Sequence, residues 1–338
     1  MSVRLIERFP VVSPLALIEA LVPPPLFAAV RLETYLPNPT EPTQAAARAA
    51  AAAFAVELTR SHSSVRFGRR APRAPEARGL YFDGGFGVGK THLLASLWHA
   101  APAPKAYATF VELTHLVGAL GFADAARRLS GMRLVAIDEF ELDDPGDTVL
   151  VSSLLDRLAV AGVALAATSN TLPDRLGEGR FAADDFLREI QQLAARFTTV
   201  RVDGPDYRHR GLPAAQPPLG SAEVRRSAAR HPDASLDDYW ALLRHLAQLH
   251  PSRYGPLLDS IPAVHLLDVA PAPDQSAALR LVVLADRLYD RQVPVIASGV
   301  PLDRIFDADM LTGGYRTKYR RAVSRLVALS RLAVPGGA

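Results

Sequence analysis

The sequence has no cysteine among its 338 residues. Without cysteine the chain cannot form disulfide bonds, a thiolate-ligated zinc site or a cysteine nucleophile, and this absence fits a reducing compartment. Lysine is scarce as well, because Lys90, Lys105 and Lys318 are the only lysines among the 38 basic residues. With 35 acidic residues, the formal net charge is only +3, which predicts no strong overall attraction to nucleic acid.

Long apolar runs are absent too. No stretch of 18 consecutive apolar residues occurs, so we expect no membrane span. The first residues carry charges, and Pro10, Pro14 and the prolines at 23–25 interrupt the apolar residues, a pattern unlike a signal peptide. Together with an apolar content of 49% and a charged content of 22%, these features favour a globular protein of the cytoplasm.

A glycine-rich stretch lies between a predicted apolar strand and a predicted apolar helix. Residues 84–91 fit the pattern G-x-x-x-x-G-K-[ST] of a phosphate-binding P-loop. Residues 80–82 predict a short buried strand that enters this loop, and residues 92–98 continue as a helix with apolar spacing. The predicted nucleotide-binding loop consists of Gly84, Gly85, Phe86, Gly87, Val88, Gly89, Lys90 and Thr91.

The residue types of this loop suit a triphosphate. Glycines let the backbone wrap closely around phosphates, and the N-terminus of the following helix adds its dipole and free N–H groups. Lys90 can reach the β- and γ-phosphates, and the Thr91 hydroxyl can ligate Mg²⁺. The chain lacks the [NT]-K-x-D motif that specifies guanine, which argues against a GTPase.

Two later strands are followed by polar residues that complete such a site. The apolar run at 134–137 predicts a buried strand that leads into Asp138 and Glu139, a Walker B pattern. We expect Asp138 to hold Mg²⁺ through water, and Glu139 to act as the general base that activates water. Asn170 follows the next buried strand, at 163–169, and would position the attacking water.

Arginine often completes nucleotide hydrolysis, and the sequence leaves several candidates open. Arg196 ends a predicted helix at 182–196, where oligomeric ATPases often place an arginine that acts on a neighbouring subunit. Arg321 and Arg325 lie four residues apart on a predicted basic helix near the C-terminus. A solvated or salt-bridged position is the alternative for each of them. We take Arg196 and Arg321 as the catalytic candidates.

From residue 79 onward, predicted strands and helices alternate, a pattern typical of a parallel sheet with helices on both faces. Together with the P-loop, it predicts an α/β P-loop NTPase fold followed by a C-terminal α/β region. The proline-rich stretch 211–220 marks a domain boundary. We expect an N-terminal helical extension at 1–75, a P-loop ATPase core at 76–212, and a C-terminal α/β and lid-like helical region at 213–338.

The C-terminal region repeats part of the core at an offset of 130 residues. Residues 155–158, Leu-Asp-Arg-Leu, resemble residues 285–288, Ala-Asp-Arg-Leu. Asp138 and Asp268 each follow an apolar strand. Two interpretations stay open at this point: a second strand-helix-strand unit without catalytic residues, or the convergence of two ordinary α/β segments.

Several phrases of the chain resemble the ZapE-type cell-division ATPases and their mitochondrial relatives. They are the P-loop with its strand at 79–91, Asp-Glu-Phe at 138–140, the run at 167–176, Asp-Tyr-Arg at 206–208, Leu-Tyr-Asp-Arg at 288–291 and Arg-x-x-Ser-Arg-Leu at 321–326. The resemblance extends from about residue 76 onward, and the last two phrases are specific to this family. The chain departs from the family at 107–112, where a His-rich phrase is usual, and at 184–188, where an arginine usually precedes Phe-Leu-Pro.

The resemblance implies ATP hydrolysis by an AAA+-like P-loop ATPase of the bacterial cytoplasm. It also implies that the protein forms homo-oligomers when it binds nucleotide, and that it remodels protein partners near the division machinery. The alternative is a loader that clamps single-stranded nucleic acid, and the basic C-terminal helix favours this alternative. The modest net charge and the lack of an aromatic-rich basic groove argue against nucleic-acid binding. A metabolic kinase is the third hypothesis, but the pair Asp138 and Glu139 with Asn170 favours water as the phosphoryl acceptor.

Overall fold

A computed structural model of the chain describes residues 3–65, 79–85, 87–140, 145–172, 191, 194–204 and 216–332. The chain forms two compact units. One unit comprises Pro14–Arg210, and the other comprises Met1–Ser13 together with Gly211–Ala338. Among the described residues, no helix has both the length and the apolar character that crossing a membrane would require.

The unit of residues 14–210 is built on a parallel five-stranded sheet. Its strands are β1 Gly79–Asp83, β2 Lys105–Thr109, β3 Leu134–Asp138, β4 Ala164–Ser169 and β5 Phe197–Arg201. They lie in the order β2-β3-β4-β1-β5, and every neighbouring pair is parallel. The strand that enters the P-loop therefore has a hydrogen-bonded neighbour on each side.

Helices connect β1 to β2, β2 to β3 and β3 to β4, as parallel pairing requires. The described helices of this unit are α1 Pro14–Glu19, α2 Pro42–Val65, α3 Lys90–Ala100, α4 Phe110–Leu120, α5 Phe122–Leu129 and α6 Pro145–Val160. Short 3-10 turns at Pro25–Phe27 and Leu32–Thr34 lie between α1 and α2. The sequence at 112–129 predicts a mostly helical segment, and the structure divides it into α4 and α5, because Gly121 between them has a φ of 79°, a conformation that favours glycine.

Apolar side chains alternate between the two faces of this sheet. Tyr81 of β1 belongs to one apolar core, which includes side chains of α4, α5 and α6. Leu80 and Phe82 belong to the other core, which includes side chains of α2 and α3. Strands that are buried on both faces read as continuous apolar runs in a sequence. The predicted α/β fold, a parallel sheet with helices on both faces, is confirmed.

The N-terminal residues do not form the separate extension expected at 1–75, because the two units share them. Ala47, Ala51 and Ala55 of α2 are buried in the core shared with the P-loop strand, because their small side chains let the helix approach closely. Residues 14–65 are thus part of the ATPase unit, and residues 3–13 are part of the other unit. The expected boundary between residues 212 and 213 lies outside the described part of the chain.

The second unit contains a three-stranded parallel sheet. Its strands are β6 Ser235–Asp238, β7 Val264–Val269 and β8 Val295–Gly299, in the order β6-β7-β8. The described helices are α7 Ser221–Arg230, α8 Tyr239–Gln248, α9 Tyr254–Leu257, α10 Gln275–Asp290, α11 Ala308–Thr312 and α12 Arg316–Leu332, with 3-10 turns at Leu5–Glu7, Pro251–Arg253 and Leu302–Arg304. The buried Asp237 carboxylate accepts the backbone N–H groups of Leu5, at 3.0 Å, and Ile6, at 3.3 Å, which ties the N-terminal residues to β6.

Two elements of this unit differ from the sequence-based expectation. The sequence predicts a helix at 236–249, but the helix begins only at Tyr239, because Ser235–Asp238 pairs with β7 as a strand and Asp238 caps the helix. Aspartate and serine are poor strand formers, so this pairing depends on tertiary contacts rather than on local propensity. Helix α7 was not predicted. The sequence also predicts strands at 264–268 and 293–298 and helices at 276–289 and about 315–332, and β7, β8, α10 and α12 lie within about two residues of these bounds.

The internal similarity extends to backbone detail. Glu139, directly after β3, and Asp268, near the end of β7, have φ values of 52° and 58°. The backbone N–H of Glu139 donates to the Thr168 hydroxyl on β4 at 3.0 Å, and that of Asp268 donates to the Ser298 hydroxyl on β8 at 2.8 Å. Each unit therefore contains a strand-helix-strand arrangement in which an acidic residue with left-handed backbone is held by a hydroxyl of the next strand.

Candidate active site

The P-loop leaves β1 and turns into α3 through two glycines with left-handed backbone. Gly87 has a φ of 72° and Gly89 a φ of 90°. Gly89 is the N-cap of α3, whose first residue is Lys90. A Cβ atom at Gly89 would lie 2.7 Å from the Cε2 atom of Tyr35. Both the backbone conformation and the lack of space therefore require glycine at position 89.

The Lys90 side chain connects the P-loop to the end of β4. Its ammonium donates hydrogen bonds to the carbonyl oxygens of Gly84, at 2.8 Å, and Gly85, and to Asn170 Oδ1, at 2.9 Å. Because β1 and β4 are adjacent and parallel, their carboxyl ends lie side by side at one edge of the sheet. Such an edge is the usual place for a ligand in an open α/β sheet.

The Asp138 carboxylate lies at the end of β3, where three hydroxyl groups converge on it. Its Oδ1 accepts from the Thr91 hydroxyl at 3.2 Å and from the Thr168 hydroxyl. Its Oδ2 accepts from the Tyr107 hydroxyl at 3.0 Å. Side chains from the start of α3, from β4 and from β2 therefore orient one carboxylate.

Asp138 lacks a basic partner within the part of the chain that the structure describes. Burial and the neighbouring Glu139 carboxylate raise its pKa, and the hydrogen bonds from Thr168, Tyr107 and Thr91 oppose that rise. Burial and the Asp138 carboxylate raise the pKa of Tyr107, which keeps its hydroxyl a donor. A buried carboxylate beside the Thr91 hydroxyl and without a cationic side chain suits a hard divalent cation such as Mg²⁺.

Glu139 has a backbone conformation that is uncommon for a residue with a side chain. Its φ of 52° lies in the left-handed region, where only glycine is unstrained. Thr168 holds this turn, because its hydroxyl accepts the Glu139 N–H at 3.0 Å and its carbonyl accepts the Phe140 N–H at 2.7 Å. Such strain is frequent at functional sites, where the surrounding structure maintains it.

Each of the two candidate arginines forms an ion pair within its own unit. Arg196 forms an ion pair with Asp156 of α6, with Nε–Oδ1 and Nη2–Oδ1 distances of 2.9 and 2.8 Å. Arg321 belongs to the second unit, where its Nη2 lies 2.9 Å from Asp286 Oδ2, and Arg325 binds the same carboxylate. The burial of Asp286 raises its pKa, but the two arginines outweigh that effect and lower it.

Some predicted positions lie outside the described residues. They include Phe86 of the P-loop, most of the predicted helix at 182–196, and residues 206–208. The described part of the site therefore unites Lys90, Thr91, Asp138 and Asn170 through direct hydrogen bonds, and it places Glu139 directly after Asp138.

Sequence reasoning missed Thr168 and Tyr107, which both bind Asp138. Thr168 precedes Asn170 by two residues, so the alternation of a strand could have placed it on the same side as Asn170. Tyr107 carries no comparable signal, because its position depends on β2 being the neighbour of β3. In the expected extension, Tyr35 was also missed. Its hydroxyl donates to the carbonyl of the P-loop residue Val88 at 3.1 Å.

The fold and the site together define a P-loop ATPase of the AAA+-like class, with one strand between the P-loop strand and the acidic strand. The sequence model of the AFG1-like ATPase family matches residues 11–232 and 220–334. The chain belongs to the AFG1-like ATPase family, and its activity is ATP hydrolysis.

The chain is also similar to several known proteins and solved structures. Cell division protein ZapE of Escherichia coli strain K12 is 28% identical over 298 residues, which cover 74% of this chain and 77% of that protein. An uncharacterised protein of Schizosaccharomyces pombe is 26% identical over 149 residues, or 39% of this chain and 33% of that protein. Among solved structures, that of DnaI has 17% identity and a TM-score of 0.40, covering 56% of this chain and 97% of that one.

Proposed function

We propose that the P-loop of this ATPase binds the phosphates of ATP and that Lys90 is its phosphate-binding cation. The observation that carries the proposal is the hydrogen-bonded cluster of Lys90 with Asn170 and of Thr91 with Asp138. The Lys90 ammonium donates to loop carbonyls and to Asn170 in the chain alone. Phosphate oxygens would replace some of these acceptors and bind the ammonium more strongly, because charged acceptors form the stronger hydrogen bonds.

Thr91 and Asp138 would hold Mg²⁺ in this site. The Thr91 hydroxyl and the Asp138 carboxylate are hard oxygen ligands 3.2 Å apart, and Asp138 is held in place by Thr168 and Tyr107. When bound, the ion would neutralise part of the phosphate charge. A single carboxylate suffices because Mg²⁺ in such sites takes most of its other ligands from water and phosphate.

Glu139 and Asn170 would act on the attacking water. Glu139 would accept its proton as a general base, and Asn170 would position it. The strained turn at Glu139 supports this role, because Thr168 fixes both the metal-binding Asp138 and the backbone of Glu139. Hydrolysis then depends on positioning by side chains that two adjacent strands hold.

We further propose that the enzyme uses ATP hydrolysis to remodel protein partners of the division machinery, as a nucleotide-dependent homo-oligomer in the cytoplasm. Its support is the 28% identity with cell division protein ZapE over 74% of the chain. A loader of single-stranded nucleic acid is the competing function, and the exposed Arg316 and Arg320 of α12 favour it. The ion pairs of Arg321 and Arg325 with Asp286 weaken it, because they occupy two arginines of the same helix.

A comparison of two variants separates these functions. We expect Glu139→Gln, loaded with ATP, to form oligomers in sedimentation and to retain division proteins from a lysate of the source cells. Lys90→Ala is the control and should do neither, because it does not bind ATP. A shift of labelled single-stranded DNA at physiological ionic strength, weakened by added salt, would instead favour the loader. A monomeric Glu139→Gln protein that retains nothing would contradict the remodelling function.

The hypothesis that Arg196 acts on the nucleotide of a neighbouring subunit is tested separately. Replacing Arg196 with alanine should slow steady-state ATP hydrolysis by roughly 100-fold or more, the low side of arginine-finger effects. The dissociation constant for ATP should stay nearly unchanged, because the guanidinium would act on a neighbour's nucleotide. Asp156→Ala is the matched control, since it breaks the same ion pair but leaves the arginine in place. Its turnover should stay within a few fold of the parent.

Mixed oligomers extend this test. Arg196→Ala subunits have an intact P-loop and Lys90→Ala subunits have an intact arginine, so a mixture should regain part of the activity. Arg321→Ala, if that residue acts in cis, should weaken binding and hydrolysis together and gain nothing from mixing. Equal losses for Arg196→Ala and Asp156→Ala would show that the ion pair matters rather than a finger. The trans role would then pass to another arginine, such as Arg188 or Arg208.

A further inference from the structure

Residues 31–44, here called the N-terminal strap, contact the P-loop directly. The Tyr35 hydroxyl donates a hydrogen bond to the carbonyl of Val88 at 3.1 Å, and the Tyr35 side chain is buried. The ring lies against Gly89, where a Cβ atom would come within 2.7 Å of it. One side chain from the segment before α2 therefore contacts two consecutive residues of the predicted phosphate-binding loop.

The start of the strap is also attached to α3. The Thr34 hydroxyl lies 3.0 Å from His92 Nε2, within hydrogen-bonding distance, and the rings of Tyr35 and His92 meet edge to face with centroids 5.5 Å apart. His92 follows Lys90 by two residues on the first turn of the helix. The strap thus contacts the backbone of the loop and the helix that presents the lysine.

The end of the strap is attached to the residues after β5. Gln44 donates to the carbonyl of Asp203 at 2.8 Å, and the Thr43 hydroxyl accepts the Asp203 N–H at 2.9 Å. Gln44 also accepts the N–H of Asn38 at 2.8 Å, which closes the segment on itself. Because β5 pairs with the P-loop strand β1, this second attachment connects the strap to the sheet that carries the P-loop.

From these contacts we infer that Tyr35 is a positioning residue that holds the P-loop in the form that binds nucleotide. The inference rests on the proposed role of this loop. Its glycines lose much conformational freedom when the loop adopts one form, so a free loop would spend part of its time in other forms. Apparent affinity falls in proportion to the fraction of protein in the competent form, and a hydrogen bond to Val88 together with ring packing on Gly89 increases that fraction.

The variant Tyr35→Phe tests this role because it removes the hydroxyl and keeps the ring. We expect the dissociation constant and the KM for ATP to rise about three- to tenfold, the effect of one lost hydrogen bond. The kcat should change less than about twofold, because bound triphosphate then holds the loop itself. Hydrogen exchange of the amides at 88–91 should be faster without nucleotide and equal to the parent with saturating ATP. Tyr35→Leu, which also removes the ring, should weaken ATP binding further.

Tyr254→Phe is the matched control. Its hydroxyl is also buried and also donates to a backbone carbonyl, that of Leu246 at 2.8 Å, but it belongs to the second unit. Both Phe variants should lower the melting temperature by similar amounts, and only Tyr35→Phe should weaken ATP binding. A merely structural role for Tyr35 would give similar stability losses and unchanged affinities in both, which would overturn the inference.

The experiments distinguish an error in the proposed nucleotide site from an error in the inference about Tyr35. If the parent binds ATP, Lys90→Ala does not, and Tyr35→Phe binds like the parent, the site stands and the strap inference is wrong. If Lys90→Ala binds ATP as the parent does, the proposed site itself is wrong. A rise in KM for Tyr35→Phe with unchanged kcat and unchanged Tyr254→Phe kinetics is the result that supports both.

Discussion

Replacing Lys90 with alanine is expected to abolish ATP binding at accessible concentrations, a loss of at least about a hundredfold in affinity. The ammonium is the cation that the P-loop presents to the β- and γ-phosphates, and in the chain alone it donates to Gly84, Gly85 and Asn170. Its removal leaves the phosphate charge to backbone N–H groups and the dipole of α3. Calorimetric titration with ATP and Mg²⁺ measures the loss, and circular dichroism verifies the fold.

Lys105→Ala provides the matched control for this variant. The Lys105 ammonium also donates to two backbone carbonyls, those of Ala101 at 2.7 Å and His99 at 3.1 Å, at the far end of α3. This variant should bind ATP like the parent, because the lysine it removes does not belong to the P-loop. Unchanged ATP affinity in Lys90→Ala, or an equal loss in Lys105→Ala, would count decisively against the assignment of the loop.

The variant Glu139→Gln should leave ATP binding intact and reduce turnover by about 100- to 10,000-fold, the usual contribution of a general base. Glutamine is nearly isosteric and can still hydrogen-bond to water, but it cannot accept the proton. The turn should persist, because the hydrogen bond to Thr168 comes from the backbone N–H of residue 139. Single-turnover hydrolysis and an ATP titration, carried out on the same preparation, separate the two effects.

The second unit supplies a control for this experiment. Asp268 has a φ of 58°, close to the 52° of Glu139, and its N–H is held by Ser298 as that of Glu139 is held by Thr168. Asp268→Asn therefore changes a carboxylate to an amide in the same local setting but in the unit that does not contain the P-loop, and its turnover should equal that of the parent. A Glu139→Gln enzyme within about tenfold of the parent rate would show that another group takes the proton.

Much of the fold could be predicted because parallel strands buried on both faces appear as apolar runs between turn signals. Strands β1, β3 and β4 were predicted within one residue of their bounds. The same reasoning failed at β6, where Ser235–Asp238 has few strand-forming residues and pairs with β7 all the same. The same reasoning did not predict that α2 packs against the sheet, because a helix rich in alanine has no apolar stripe to show which face is buried.

The sequence motifs predict which residues form the candidate site, but they do not predict the contacts of those residues. Asp138 and Asn170 each follow a predicted strand, Lys90 begins the helix after the loop that leaves another, and parallel strands present their carboxyl ends at one edge. The contacts of Arg196 with Asp156 were not predictable, since they join residues 40 positions apart through the packing of elements around the sheet. For the same reason Tyr107 could not be assigned to Asp138 before the strand order was known.

By itself, the sequence determined the chemistry of this protein: a P-loop, an acidic strand end and a polar strand end, whose residue types and spacing specify an ATPase. Only the tertiary structure decided that Tyr35 reaches Val88, that Thr168 and Tyr107 orient Asp138, and that residues 3–13 belong with the C-terminal unit. The physical reason is that motifs are local, because the chain itself fixes the spacing of their residues. The supporting contacts join distant residues, and they depend on strand order, register and packing that no short stretch of sequence contains.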